Sequence, residues 1–446
     1  MVSETQIAVA GDALVARQLA TLRRTRANPI YEHIEAADAS VVNLEMLLHD
    51  FDGYPASNSV AHFSGTYMRA PPWAADELVD VGFDAFAAAN NHTGDYSYGG
   101  MRSTMRELES RDIPYAGLGR NLASARSPTY FDTPGGRVAL VAAGSTVTPG
   151  TEAGPEQPLI SGRPGLSPIR HESRYVVSED QLDQLREVSE SLGLEETKRQ
   201  RQSADLPTQY DDVEEASVFH LLEVSRGHGE TLVFEEGSDP GVRQVPNRED
   251  IEDVLAQIRE ANRQADWVVT SLHGHEGENG AYNDRTVAPF IESFARECVD
   301  AGADVFMGHG PHTLRGVEIY DGAPIFYSLG NFICQHHAIS AVPEEVYNRY
   351  DLAEDEKTPS TVHDYILSQR EYWETVLPVC SFEDGDLSRI DLYPAELGFD
   401  EPKPRHGEPL LAEGETAKRI LDRLADLSAE YDTDVSLVDG VGVIEV

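Results

Sequence analysis

The stretch from Gly308 to Phe332 reads GHGPHTLRGVEIYDGAPIFYSLGNF, and it decides how the rest of the chain is interpreted. It follows the apolar run DVFM and begins with two histidines, His309 and His312. Neutral imidazoles at the carboxyl end of a strand commonly hold a transition metal. A His-x-x-His pair alone is weak support for a metal site. Four other segments, however, are also apolar, strand-like runs followed directly by a side chain that can bind a metal or transfer a proton.

These four segments are spread along the chain. They are QIAVAGD ending in Asp12, ASVVNLE ending in Glu45, DAFAAAN followed by Asn91 and His92, and WVVTSLH ending in His273. The carboxyl ends of parallel strands meet at one edge of an α/β sheet, where such folds bind ligands. We therefore predict that these side chains share one crevice with the two histidines of the opening stretch.

Each of these segments also has a purely structural interpretation. Asp12 precedes ALVARQLATLRR, which can form a helix, so the aspartate would then be a helix N-cap. Glu45 would be the first exposed residue of a loop. The Asn-His pair would belong to a turn, because Asn and the following Gly-Asp favour turns.

The composition describes a folded protein with an acidic surface. The chain has 446 residues, with 78 acidic and 35 basic side chains and a formal net charge of −43. Apolar runs recur along most of the chain, which argues against disorder. Dispersed acidic charge suits solubility in concentrated salt, where the Debye length falls to about 3 Å at 1 M. We therefore expect a cytoplasmic protein of a halophilic organism that binds neither nucleic acid nor anionic membranes.

No membrane span is expected from the sequence. The first residues, MVSETQIAVAGD, lack a basic segment, and their apolar stretch is too short for a signal or a span. The three cysteines are far apart and odd in number, so they predict no disulfide framework.

Residues 149–246 interrupt an otherwise regular alternation of β and α units. A loop rich in Pro and Gly is followed there by a charged helical pattern with a Ser178-x-x-Gln181 capping box. We interpret residues 151–246 as an insertion or a lid over the site. Its Arg163 and Arg170 are predicted to bind an anionic substrate, although arginines in so acidic a chain can instead pair with neighbouring acids.

Two further predictions concern polar residues that follow the later strands. Glu276 follows His273 and His275 and is predicted to contact substrate. Alternatively, His275 and Glu276 support the metal ligands from behind or lie on the surface of a loop. Residues 336–373 are polar and charged, so His336, His337 and His363 are expected to face solvent. AKRILDRLADLSAEYD predicts an amphipathic helix near the end of the sequence.

Seven ordered blocks resemble the CapA family of capsule and poly-γ-glutamate synthesis proteins. They are GD (11–12) with Arg17, NLE (43–45), RAPP (69–72), ANNH (89–92), LHGHE (272–276), GHGPH (308–312) and YSLGNF (327–332). That family is similar to the calcineurin-like metallophosphoesterases, so the resemblance implies an α/β fold, a four-layer α/β/β/α sandwich with an insertion. The domain would be discontinuous, formed by residues 1–150 and 247–395, with a C-terminal extension at 396–446.

The resemblance also implies the residues of a site. The metal ligands would be Asp12, Glu45, Asn91, His273, His309 and His312, holding one or two divalent ions such as Mn, Fe or Zn. His92 would donate a proton to the leaving group, and Arg17 with Arg69 would offset charge on the substrate oxygens. The sequence differs from the metallophosphoesterases in having Leu14 in place of a histidine and His309-x-x-His312 in place of His-x-His.

Three functions are compatible with these residues. The first is a CapA-like protein with metal-dependent hydrolase activity, of the phosphoesterase or amide-bond class, towards poly-γ-glutamate or a related anionic polymer. The second is a general metal-dependent phosphoesterase for a small anionic molecule. The third is a non-enzymatic binding or assembly factor that uses the same crevice without a metal.

Overall fold

Two large β-sheets lie face to face in the computed structural model, which describes residues 4–19, 28–57, 66–203, 217–221 and 232–446. Within these ranges the larger sheet runs in the order Ser436–Val438, Val441–Glu445, Asp386–Glu396, Glu374–Glu383, Glu4–Leu14, Ala39–Leu44, Ala85–Ala87 and Tyr115–Ala116. Asn331–Cys334 also pairs with Glu4–Leu14, and Leu410–Leu411 pairs with Asp386–Glu396. The smaller sheet runs in the order Val317–Tyr320, Ala323–Phe326, Val305–His309, Trp267–His273, Gly136–Gly144 and Thr129–Thr133.

Helices cover the outer faces of the two sheets and connect their strands. The described α-helices are Pro29–Ala36, Ala74–Asp80, Ser97–Glu109, Leu122–Arg126, Glu179–Ser191, Leu194–Ser203, Arg248–Asn262, Pro289–Asp300, Glu344–Arg349, Pro359–Ile366 and Gly414–Ser428. Short 3-10 turns lie at Asn91–Gly94, Glu278–Gly280, His336–Ala338, Arg370–Trp373, Lys403–Arg405 and Ala429–Tyr431.

One apolar core fills the space between the sheets. Side chains of alternate residues point into it from both sides, because successive side chains of a strand face opposite ways. The larger sheet contributes Ile7, Val9 and Val41, and the smaller sheet contributes Leu140, Val269 and Met307. The opposite faces of the sheets pack against helices, Pro29–Ala36 and Ala74–Asp80 on one side and Arg248–Asn262 and Pro289–Asp300 on the other. The chain is therefore a four-layer α/β/β/α sandwich, and the predicted fold class is confirmed.

The described part of residues 151–246 builds a separate small sheet. Its strands lie in the order Val218–Leu221, Leu232–Glu236, His171–Val177 and Gly241–Pro246. The predicted capping box is present, with Ser178 and Gln181 exchanging hydrogen bonds at the start of the helix Glu179–Ser191. The fully buried Asp250 carboxylate binds Arg126 and Arg170, and thereby ties the base of this segment to the core.

The predicted C-terminal helix is present as Gly414–Ser428, and its apolar face packs into the core between the sheets. The hairpin of Ser436–Val438 and Val441–Glu445, which the sequence analysis did not predict, follows it and extends the larger sheet. Over the described ranges, no helix combines the length and apolar character needed to cross a bilayer.

The first strand is longer than the sequence suggested. It continues through Asp12 to Leu14, since Asn331–Cys334 pairs with its last residues. The helix predicted from Ala13 is therefore wrong for residues 13–19, and residues 20–24 of that prediction lie outside the described residues. Asp12 does not cap a helix.

We predict that Gly11→Ala will destabilise the fold. A Cβ at Gly11 would lie 2.0 Å from the carbonyl oxygen of Gly330. Gly11 belongs to the strand Glu4–Leu14, which cannot shift without disturbing its pairing with the strands on either side. Overpacking of this kind typically costs about 1–3 kcal/mol. Urea unfolding in molar KCl measures the change. Gly144→Ala is the matched control, because a Cβ there meets its nearest atom, the Ala89 carbonyl oxygen, at 3.5 Å. Equal stability losses in the two variants would contradict the prediction.

Candidate metal centre

The carboxylate of Asp12 lies at the centre of the predicted crevice. Asp12 is fully buried near the end of the strand Glu4–Leu14, where the two sheets meet. The Asn43 side-chain amide donates to its Oδ1 at 2.8 Å, and the backbone N–H of Gly310 donates to its Oδ2 at 3.2 Å. These two donors orient the carboxylate so that each oxygen faces a different group of side chains.

The first group contains His273 and His309, which end neighbouring strands of the smaller sheet. Their Nδ1 atoms lie 3.6 and 3.4 Å from Oδ1 of Asp12. The Ser271 hydroxyl lies 2.7 Å from Nε2 of His309 and occupies the far side of that ring. Asp12, His273 and His309 each offer an atom within 4.8 Å of the other two, which is a geometry suited to a metal ion.

The second group contains Glu45 and His312. His312 Nδ1 lies 3.4 Å from Oδ2 of Asp12 and 3.0 Å from Oδ1 of Asn331. Asp12, Glu45 and His312 also offer atoms within 4.8 Å of one another. The Asp12 carboxylate therefore bridges two sets of three candidate ligands. The His309-x-x-His312 spacing places one histidine in each set.

The contacts inside the cluster fit bound cations. Nδ1 of His273 lies 2.9 Å from Nδ1 of His309, although at most one proton can lie between two such nitrogens. Oε1 of Glu45 and Oδ1 of Asn91 are buried without a hydrogen-bond partner among the described residues. Buried polar atoms normally have partners. Divalent cations would accept the lone pairs of the two Nδ1 atoms and of the Glu45 and Asn91 oxygens.

Burial and mutual charge shift the acidity of the cluster. Burial acts to raise the pKa of Asp12, but hydrogen bonds from His273, His309 and His312 lower that pKa well below its usual range. Burial and the charge of Asp12 raise the pKa of Glu45 to about 8. Burial opposes protonation of His312, yet Glu45 and Asp12 raise its pKa to about 9. Protons thus balance the buried negative charge where a cation does not.

Burial lowers the pKa of His273 to about 4 and the pKa of His275 well below the ordinary histidine value. Both imidazoles are therefore neutral near pH 7. Neutral imidazole is the form that binds a metal.

His92 lies beside the cluster in the 3-10 turn Asn91–Gly94, which Asn90 caps. Its Nδ1 lies 2.7 Å from Oδ2 of Asp95, and its Nε2 lies 4.0 Å from Oε1 of Glu45. Burial acts to lower the pKa of His92, but the charge and hydrogen bond of Asp95 raise it above the ordinary value. Nε2 of His92 therefore faces the cluster and carries a proton readily.

The structure adds residues that the sequence analysis did not assign to the cluster. His275 is buried, and its Nε2 lies 3.2 Å from Nε2 of His273 and 2.9 Å from Nδ2 of Asn91. The His-x-His spacing of HGHE was the available signal for it. Asn43 binds Asp12 and Asp95 binds His92, which orients both groups. The only signal for this in the sequence was that Asn43 and Asp95 lie within three residues of Glu45 and His92.

A cavity of about 200 Å³ opens onto the cluster. Its lining includes Asn91, His92, His275, His312, His336 and Tyr372. An outer cavity of about 340 Å³ shares Tyr282, Asn283 and Tyr372 with it, and is bordered by the ion pair of Arg285 and Glu371. The cluster therefore has room for a ligand on the side that His92 faces.

The two arginines assigned to charge stabilisation make contacts elsewhere. Arg17 donates from Nη2 to the carbonyl oxygen of His406 at 3.2 Å. Arg69 donates to the His49 carbonyl oxygen at 2.6 Å and binds Asp50. Neither of these contacts involves the Asp12 cluster.

The three residues predicted to bind substrate are also engaged with other groups. Arg163 pairs with Glu152, and Arg170 pairs with Asp250, which is the alternative stated for both arginines. The Glu276 carboxylate accepts hydrogen bonds from Ser145 and Thr146 at 2.6 and 2.7 Å.

The histidines after residue 335 correct one expectation. His336 and His363 are only 2% and 1% exposed, so the prediction that they face solvent is wrong. His337 is half-buried. Packing by distant segments, and not local composition, determines their burial.

Comparison with known proteins places this architecture in a family. The family model "Bacterial capsule synthesis protein PGA_cap" matches residues 6–336. Two uncharacterized proteins of Sinorhizobium fredii, y4sH and y4uA, are each 33% identical over 459 residues, covering 99% of this chain and 93% of their own length. The PGA biosynthesis protein CapA of Bacillus subtilis is 23% identical over 329 residues, covering 72% of this chain and 61% of its own length.

Among solved structures, the NAD nucleotidase NadN of Haemophilus influenzae aligns over 98% of this chain and 65% of its own, with a TM-score of 0.32 and 10% sequence identity. The family match covers most of the chain and contains every candidate ligand from Asp12 to His312. The chain belongs to the bacterial capsule synthesis protein family PGA_cap.

Proposed function

We propose that this chain is a metal-dependent hydrolase acting on an anionic substrate in the synthesis of a capsule or of poly-γ-glutamate. One observation carries the proposal: the two oxygens of the buried Asp12 carboxylate face two separate sets of acid and histidine ligands. The cluster also adjoins a cavity and a histidine whose proton is held by a carboxylate. A site used only for binding a polymer would not require a histidine such as His92, which is oriented to donate a proton.

The ligand residues have distinct tasks in this proposal. Asp12, His273 and His309 would hold one divalent ion, and Asp12, Glu45 and His312 would hold a second, with Asn91 completing the set. Such an ion supplies Lewis-acid polarisation of a substrate oxygen and makes water a nucleophile near neutral pH. Asn43 and Gly310 keep the Asp12 carboxylate in its orientation.

His92 would transfer the proton in the proposed reaction. Asp95 fixes its ring through Nδ1, which leaves Nε2 directed towards the cluster. Protonation of a leaving oxygen or nitrogen by a positioned histidine typically contributes about 10²–10⁴-fold to the rate. The cavity that opens onto the cluster would have to place the leaving group of the substrate against Nε2 of His92.

The substrate class follows from charge and from the relatives. Divalent ions bind carboxylate and phosphate oxygens, so an anionic small molecule or polymer suits the cluster. The B. subtilis relative is named for PGA biosynthesis, which favours a γ-glutamyl polymer over a generic phosphoester. The dispersed charge of −43 further leads us to propose a cytoplasm with high salt as the working environment.

We expect His309→Ala and His312→Ala each to reduce bound divalent metal. Each substitution removes one imidazole from a set of three ligands, so affinity for Mn²⁺ or Zn²⁺ should fall at least tenfold. Elemental analysis after dialysis in molar KCl measures the metal bound per chain. His33→Ala is the control, because that ring stacks on Tyr393 at 3.6 Å and belongs to neither set. If both variants retained as much metal as the control, the proposed function would be wrong.

We expect His92→Asn to slow hydrolysis without loss of metal. A general acid matters most for a poor leaving group. The turnover of a γ-glutamyl peptide or an alkyl phosphate should therefore fall about 100-fold or more, and that of an activated aryl phosphate much less. Steady-state kcat/KM values on this substrate series measure the difference.

The wild-type protein decides between the remaining functions in the same assay. Preferential turnover of γ-glutamyl peptides supports the proposed substrate, and preferential turnover of phosphoesters favours a general phosphoesterase. Equal losses on all substrates in His92→Asn would remove His92 from the role of proton donor. A metal-loaded wild-type protein that hydrolyses neither class would contradict the proposed hydrolase, and a wild-type protein that binds no metal would favour the non-enzymatic function.

A further inference from the structure

A second group of histidines lies beyond the residues that the family model matches. His337 comes from the 3-10 turn His336–Ala338, His363 from the helix Pro359–Ile366, and His406 directly follows the 3-10 turn Lys403–Arg405. The family match ends at residue 336. The group therefore does not belong to the ligand set described above, and three separate segments of the chain build it.

The three rings surround a common point. Their centroids are 5.4 Å apart for His337 and His363, 5.7 Å for His337 and His406, and 6.0 Å for His363 and His406. One ring nitrogen of each lies within 4.8 Å of the other two. This nearly symmetric triangle is a shape that three imidazoles adopt around a single ion.

Five of the six ring nitrogens in this group have no hydrogen-bond partner among the described residues. Both nitrogens of His337, both of His363, and Nδ1 of His406 are buried and lack a hydrogen-bond partner there. A buried polar atom that is left without a partner destabilises the folded protein. Five such atoms in one place are difficult to explain as packing alone. His363 is 1% exposed, so water does not easily compensate for its missing partners.

The surroundings orient the rings for binding. Nε2 of His406 lies 2.5 Å from the carbonyl oxygen of Glu401, so it carries the proton and donates, and Nδ1 keeps its lone pair for the centre of the group. Metal-binding histidines commonly donate their second N–H to a backbone carbonyl in this manner. The buried Trp373 packs edge-on against both His363 and His406 at 5.3 and 4.7 Å. This contact limits rotation of the two rings.

We propose that His337, His363 and His406 form a second cation site that binds a Zn²⁺, Ni²⁺ or Co²⁺ ion through three imidazole nitrogens. All three ligands are nitrogen donors, a set that suits these borderline metals and does not suit Mg²⁺ or Ca²⁺, which prefer oxygen. Three protein ligands leave one coordination position for water or an anion.

Occupation of this site would fix one wall of the cavity above the Asp12 cluster. The helix that carries His363 also supplies Ile366 to that cavity, and Tyr372, next to Trp373, lines it as well. His336 lines the cavity too, and its ring lies 5.6 Å from the ring of His363. A bound ion would join the segments 336–338, 359–366 and 403–406 and restrict their relative motion.

The test counts zinc ions in the full-length protein. Protein stripped with a chelator in molar KCl is dialysed against ZnCl₂ alone or MgCl₂ alone, and metal per chain and Tm are measured. We expect His337→Ala and His363→Ala each to bind one zinc ion fewer than wild type and His33→Ala, with the affinity at this site reduced at least tenfold. The zinc-dependent rise in Tm should shrink in both variants.

Two further measurements make the outcome decisive. His363 is buried, so His363→Ala could fail to fold, and His337→Ala then decides the test. His337 is half-buried, so the circular dichroism spectrum of His337→Ala should match that of wild type. In a background carrying both His309→Ala and His312→Ala, each set of the Asp12 cluster has lost an imidazole, so one zinc ion should remain. That ion should disappear when His337→Ala is added, so this inference is tested apart from the proposed hydrolase. An unchanged zinc count in His337→Ala, or a magnesium count that also falls by one ion in that variant, would overturn the inference.

Discussion

The contact between the Asp12 carboxylate and the imidazoles of His309 and His312 is the constraint on which the rest of the structure depends. Asp12 belongs to the larger sheet, whereas His309 ends a strand of the smaller one. The cluster can therefore exist only where the two sheets meet with their strand ends in register. The apolar core between the sheets fixes their relative position, because the inner faces of both sheets contribute side chains to it.

Charge explains why this arrangement is suited to cations. Asp12 and Glu45 are both buried, and the cost of burying two acids is high unless positive charge accompanies them. Burial and the charge of Asp12 raise the pKa of Glu45, and the charges of Glu45 and Asp12 raise the pKa of His312, so both groups hold protons more readily. Replacing those protons by divalent ions preserves charge balance and leaves the carboxylates and imidazoles as ligands. The burial that makes the acidic groups destabilising in the metal-free protein therefore also favours the binding of divalent cations.

Much of the fold and part of the cluster could be predicted from sequence. Apolar runs that end in Asp12, Glu45, His273, His309 and His312 predicted that these side chains would converge, and the structure brings them together. Strand ends carry such information because the topology of a parallel sheet places them at one edge. The roles predicted for Arg163 and Arg170 came from charge, and those predicted for Arg17 and Arg69 came with the family resemblance. Long, flexible cations find acidic or carbonyl partners wherever the fold offers them, so sequence does not determine their positions.

The remaining differences have a tertiary origin. The residues after Asp12 have helical propensity, yet pairing with Asn331–Cys334 extends the strand, and tertiary context overrides such propensities. His363 lies in a polar stretch but is buried, since the segment around His406 packs over it. Contacts between residues so far apart in sequence leave no local pattern. They emerge only when the whole sheet is assembled.

The placement of Glu4–Leu14 has a consequence for how the protein reaches its native state. This strand is central in its sheet, between Ala39–Leu44 and the antiparallel Glu374–Glu383. On the ribosome Glu4–Leu14 emerges well before Glu374–Glu383, because roughly 360 residues separate the two strands along the chain. Non-local pairing of this kind slows folding and exposes unpaired strand edges in the meantime. The nascent chain must therefore keep Glu4–Leu14 from aggregating until Glu374–Glu383 has been translated, and an acidic exterior that repels other nascent chains serves that need.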